Sequence, residues 1–173
     1  IVLLAMLALN VSTEVLKGFA VVQESLDRTT NNASKENAAI YNDFRDQMLR
    51  NPEKARGWYE KAMEVRNMSD SLYNFAETLK LAIVKEADGA DGNLKNIQNT
   101  DNIDAAGTVM LAPLTGKGKK LFNAINSYRE RILGFVTDPR QYAIIKSNLS
   151  TNVPKGKNYL GKNWQEYMFE DMP

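Results

Sequence analysis

The opening stretch, Ile1 to Leu26 (IVLLAMLALNVSTEVLKGFAVVQESL), constrains this chain more than any other. It starts as an unbroken apolar run, Ile1 to Leu9, and turns amphipathic without a Gly-Pro break. Apolar residues continue at Val11, Val15, Phe19, Val22 and Leu26, steps of four, four, three and four, which fall on one face of a helix. The pattern predicts one helix that passes from lipid-like into water- and partner-like sequence. Nine apolar residues span only about 14 Å at 1.5 Å per residue, roughly half of a ~30 Å hydrocarbon core. With Ile rather than Met at position 1, the reading is a piece of a longer protein. Residues 1–9 are then the C-terminal half of a transmembrane helix, residues 10–30 the helix leaving the membrane, and residues 31–173 a helical-bundle domain. A signal peptide competes with this, since its apolar core can be as short. However, no small-residue cleavage site followed by a change of composition is present. A buried helix of a soluble protein is the other competitor.

Asn10, Ser12 and Glu14 stand at the expected membrane exit. An ionisable group buried in lipid there would be a candidate for an ion path, because its burial costs several kcal/mol on many scales. At headgroup level the same residues need no special role. Asn10 at the edge and Glu14 one turn further out fit that plainer reading.

The remaining chain reads as helices separated by turn signals. Thr29-Thr30-Asn31-Asn32 favours turns and caps and predicts an end to the first helix near residues 28–32. A second helix is expected from Ser34 to Arg50, with Ile40, Phe44 and Met48 four residues apart. Asn51-Pro52-Glu53 is a restart signal: Asn51 can cap, Pro52 lacks an N–H that would be unpaired at a helix start, and Glu53 faces the positive end of the dipole. From Pro52 to about Ala87 only Gly57 interrupts. Trp58, Ala62, Val65, Leu72, Ala76, Leu79 and Ile83 line one face, with Glu60, Lys61, Glu64, Arg66, Glu77 and Lys80 opposite. A helix that long needs partners along its length.

Asp88 to Gly107 is a polar connection, with Leu94, Ile97 and Ile103 available to dock it. Asp88, Asp91 and Asn93 supply oxygens, but the spacing of a calcium loop with its distal Glu is not met. The Gly-Lys run at residues 116–120 does not match a phosphate-binding loop either, because Leu111 stands where Gly is required and Gly118 where Ser or Thr is required. It reads as the basic start of a helix with Leu121, Ile125, Tyr128, Ile132 and Phe135 on its apolar face. Asp138-Pro139 caps another helix to about Leu149. Residues 150–158 form a loop, and Trp164, Tyr167, Met168 and Phe169 cluster on a short last element as core or dimer contacts. No segment alternates with period two, so the fold class is all-α: a transmembrane helix continuing into an elongated bundle of five or six helices with up-down character.

The chain has no Cys and no His, which removes thiol nucleophiles, imidazole bases, Cys/His zinc sites and disulfides. No nucleophile–base pairing is legible, so the chain is not read as an enzyme, and no cofactor or metal is expected. The net charge of +1 argues against general affinity for nucleic acid. Residues 1–112 hold 12 Lys/Arg and 16 Asp/Glu, and residues 113–173 hold 10 and 5. The plainest account of that asymmetry is two solvated faces of opposite tint.

Ala5-Met-Leu-Ala-Leu-Asn-Val-Ser12, then Glu14-Val-Leu16 and Phe19, resembles the membrane-exit segment of the GldM/PorM family, the M component of gliding motility and type IX secretion. Gly116-Lys-Gly-Lys-Lys-Leu121 with Ile125 and Tyr128-Arg-Glu130 resembles a helix of that family's first periplasmic domain. Trp164 to Pro173 resembles that domain's next landmark. The resemblance touches both ends and the middle of the chain. It implies a homodimeric, single-pass protein of the bacterial inner membrane with most of this chain in the periplasm. Its transmembrane helices would pair inside a pentameric L-type partner, where proton flow drives rotation. Further β-rich domains would reach an outer-membrane K/N ring. The family's charged membrane residue would lie before Ile1, so no proton-coupling site is carried over. On this reading Leu4, Leu7, Val11, Val15, Phe19 and Val22 form the transmembrane and dimer interface. A membrane-tethered helical sensory or ligand-binding ectodomain is the rival class. It should return through a second membrane helix, and no second long apolar run exists.

Overall fold

The computed structural model describes the backbone of residues 2–100 and 102–170 and the side chains of residues 21–100 and 102–170. Among them the fold is all-helical, with no strand. The chain divides into two units, residues 1–63 and 64–173.

The first unit holds α1 (Val2–Arg50) and the opening turns of α2 (Pro52–Asp88). The expected end near residues 28–32 is not there, and α1 runs through it without interruption. The reason is local. Neither Gly nor Pro occurs between residues 19 and 51, and side chains that could break the helix bond along it instead. Thr29 Oγ1 donates to the Ser25 carbonyl at 2.9 Å, Gln23 Nε2 donates to Asp27, and Arg28 lies near Glu24. The predicted Ser34–Arg50 helix is therefore the last third of α1. Asn51 separates α1 from α2 as a joint one residue wide. Its N–H donates to the Gln47 carbonyl, its carbonyl accepts from Ala55, and its Oδ1 accepts from the Lys54 N–H as the cap reading required.

The second unit is a helical bundle built from the rest of α2 with α3 (Ala105–Met110), α4 (Lys117–Leu133), α5 (Pro139–Asn148) and α6 (Trp164–Phe169). α3, α4 and α6 pack on one another and α5 lies along α4. Leu79 of α2 meets Val109 and Met110 of α3, with Phe75, Ala82, Ile83, Leu121 and Phe169 packed around them. Across the bundle, the Ser69 and Tyr128 hydroxyls are 2.8 Å apart, and Arg131 pairs with Glu64. Trp164 is buried, 5.8 Å from the Phe122 ring and edge-on to Phe169 at 6.1 Å. Of the expected cluster, Trp164 and Phe169 are thus core, while Tyr167, edge-on to Tyr159, and Met168 are half-buried.

The polar connection is organised rather than loose. Asp88 uses both carboxylate oxygens to accept from the N–H groups of Gln98 (2.9 Å) and Asn99 (2.8 Å), and Asn99 Nδ2 donates to the Ala87 carbonyl. Of its apolar residues, Leu94 is half-buried while Ile97 and Ile103 stay exposed. α3 begins two residues before Gly107, where the sequence pattern promised only connection. The six-residue run AAGTVM is too short to carry a helical period, and its burial is tertiary: Ala105, Val109 and Met110 are all buried.

Candidate interaction surface

The feature with the clearest functional content is the surface of α1. Every residue from 21 to 40 is exposed, on all sides of the helix. Val22 is 54% exposed, Leu26 58% and Ile40 54%, values that leave their apolar area in water. Burying one such side chain contributes about 1.5–3 kcal/mol, and nothing in the described chain covers these. The intrahelical pairs on the described part of α1 include Glu24 with Arg28, Gln23 with Asp27, Asp43 with Gln47 and Arg45 with Asp46, all exposed. Pairs of this kind contribute about 0.2–0.5 kcal/mol each. A helix of 49 residues draws most of its stability from packing rather than from such pairs.

Of the residues expected to form the interface, Val22 is the one with a described side chain, and it is exposed. Leu4, Leu7, Val11, Val15 and Phe19, and the polar Asn10, Ser12 and Glu14, lie within α1, but their side chains fall outside the described residues. So does the apolar surface of Ile1–Leu9. Among the described residues, no helix is long and apolar enough to cross a membrane.

The bundle contains features that sequence reasoning missed. Gly118 is buried, and a Cβ there would come within 2.8 Å of the Met110 carbonyl and 3.1 Å of Gln165 Cγ. Gly116 takes φ of 55° as the residue before α4. The Gly-Lys run is therefore a tight turn followed by a close helix approach. A second feature is a polar knot. Asn126 Oδ1 accepts from Arg129 and from the buried Thr151 hydroxyl (3.0 Å), and Arg129 donates onward to the Leu149 carbonyl at 3.0 Å. It ties the segment after α5 back to α4. A third is the capping box at α6, where Asn163 Oδ1 accepts from the Glu166 N–H while Glu166 accepts from the Asn163 N–H. Only the last had a signal in the sequence, an Asn three residues ahead of a Glu at the head of an aromatic run.

An open groove of about 360 Å³ is lined by Leu111, Ala112, Pro113, Lys119, Gln165 and Glu166, among others. Its lining mixes charge and backbone without a convergent set of reactive groups. Among the described residues, no group of three or more acidic side chains is placed to hold a metal ion. An exposed helical unit and a packed helical bundle define an all-α module.

The residues of that module match the family described as the GldM N-terminal domain, over residues 14–173. The chain belongs to this family, a membrane-anchored component of the gliding motility and type IX secretion machinery and not a known enzyme family. The comparison with curated proteins returns no match.

Proposed function

We propose that this chain is the membrane-proximal shaft of an inner-membrane motor. Two copies pair along α1, with Leu4, Leu7, Val11, Val15, Phe19 and Val22 in the seam, and the pair carries proton-driven motion from the membrane into the periplasm for protein secretion, gliding or both. A pentameric L-type protein surrounds the membrane helices, and domains further along the protein engage an outer-membrane K/N ring. The observation that carries this reading is α1: an unbroken 49-residue helix on which Val22, Leu26 and Ile40 stand exposed. Family membership supports it independently. A continuous helix also transmits rotation, whereas a Gly/Ser linker of equal length would swivel.

The test is Val15→Asp combined with Phe19→Asp in the full-length protein. The expected result is loss of dimers and loss of secretion and gliding, with the protein still accumulating in cells. Intact dimers and intact function in the double variant would overturn the proposal. Copurification of the detergent-extracted protein with a small two-span membrane protein is the expected companion result.

A further inference from the structure

Two segments of the bundle meet at the open groove of about 360 Å³, and their charges are all of one sign. Residues 105–129, which include the turn before α4, and residues 139–165, which lead into α6, contain no Asp or Glu. The first segment carries Lys117, Lys119 and Lys120, and the second ends with Lys155, Lys157 and Lys162. The two acidic residues of the groove come from α6 and its end, and both are engaged. Glu166 accepts from the Asn163 N–H at 2.9 Å, and Glu170 pairs with Lys162 at 3.5 Å. Lys119 lines the same groove and has no acidic partner among the described residues. With it lie Leu111, Ala112 and Pro113. Leu114, next in the turn, is 100% exposed, and Leu160, three residues ahead of the groove residue Asn163, is 89% exposed.

Unanswered lysines call for carboxylates, and the exposed leucines beside an apolar floor call for apolar side chains. One occupant supplies both. We propose that this groove docks a short acidic segment of a partner protein. A carboxylate of the segment meets Lys119, an apolar side chain lies against Leu111 and Pro113, and Leu114 and Leu160 flank it. Other occupants meet only part of this chemistry. A second copy of the chain would bring the same lysines to the same place, because a two-fold contact sets a surface against itself. A small molecule would stay largely in water, since the groove is open on its outer side. A bilayer would take up the projecting leucines and leave the groove floor unfilled. The docking does not depend on pairing through α1.

Fluorescein-labelled peptides of about ten residues test this on whole chains kept in mild detergent, with anisotropy as the readout. One peptide alternates Glu and Leu, a second Glu and Ser, and a third Lys and Leu. The Glu–Leu peptide is expected to bind, the Glu–Ser peptide to bind about tenfold more weakly, and the Lys–Leu peptide not to bind. Lys119→Glu should weaken the Glu–Leu complex about tenfold. Leu114→Ser with Leu160→Ser should weaken it severalfold, as should high salt. Lys95→Glu, at an exposed lysine of the 89–104 connection, should leave it unchanged. Detergent takes up peptide equally whatever the variant, so these differences read the groove. No binding, equal binding of the Glu–Leu and Glu–Ser peptides, or equal loss in Lys119→Glu and Lys95→Glu would overturn the proposal. The chain has no native cysteine, so a polarity-sensitive dye can be placed on Leu114→Cys alone. A blue shift of that dye with phosphatidylglycerol vesicles but not with the Glu–Leu peptide would assign the surface to lipid and overturn the proposal as well. Every substituted position is exposed, so the melting midpoints are expected to match that of the parent chain.

Discussion

Gly118 and Thr151 matter for opposite reasons, one for having no side chain and one for having a polar side chain that is buried and answered. Ala at position 118 places a methyl group against the Met110 carbonyl, so Gly118→Ala is expected to destabilise the bundle by about 1–3 kcal/mol through overpacking, read as a lowered melting midpoint. Thr151→Val keeps the shape and deletes the hydroxyl that reaches Asn126. Its expected cost is about 1–3 kcal/mol, since Asn126 Oδ1 loses one of its donors in a part-buried site. Calorimetry on the two variants checks both, and a melting curve unchanged by Gly118→Ala would mean that α4 can stand further from α3. The sequence revealed these residues unevenly. A Gly in a Gly-Lys run looks the same whether it turns the chain or admits a neighbour, because the neighbour, Met110 or Gln165, is not in the local string. Asn51 and Asp138 were legible because a cap and the proline beside it act within four residues. Both are found as read, with Asp138 accepting from the Arg140 N–H at 2.9 Å.

At the scale of elements, helices ruled by their own periodicity were legible and those ruled by neighbours were not. α2, α4 and α5 begin and end close to where their caps and apolar spacing put them. The break expected at Thr29–Asn32 weighed turn-forming side chains too heavily. In the absence of Gly or Pro, such residues cost a helix only a few tenths of a kcal/mol each. α3 escaped notice because six residues hold less than two turns and its stability comes from α4 and α6. The 89–104 connection depends on Asp88, whose two oxygens hold the loop's far end. Asp88→Ala is expected to free that end, and limited proteolysis should then cut between residues 93 and 103 severalfold faster, with little change in helix content by circular dichroism.

For the whole molecule, the buried residues partition unevenly. Leu79, Val84, Ala105, Val109, Met110, Gly118, Leu133, Thr151 and Trp164 all belong to the 64–173 unit, while the described part of α1 holds no fully buried residue and only Tyr41, Phe44 and Met48 half-buried. Stability should partition the same way. Hydrogen exchange on the whole protein is expected to find the bundle amides protected at every protein concentration. The amides of residues 21–50 should be protected only where the chain is associated, so their exchange should quicken severalfold on dilution. Concentration-independent protection of α1 would mean that the helix is stable alone and would remove the main physical reason for assigning it a partner.

The joint between α1 and α2 has a mechanical corollary. Asn51 keeps the helical bonds of its own N–H and carbonyl, so a single pyrrolidine ring, that of Pro52, stands between two helices and one. Having no N–H to offer, Pro52 leaves the Met48 carbonyl without a donor from that position and lets the axis bend there. In the shaft proposed above, such a joint would yield to lateral load at one spot while still passing on a turn about the axis, as a flexible drive coupling does.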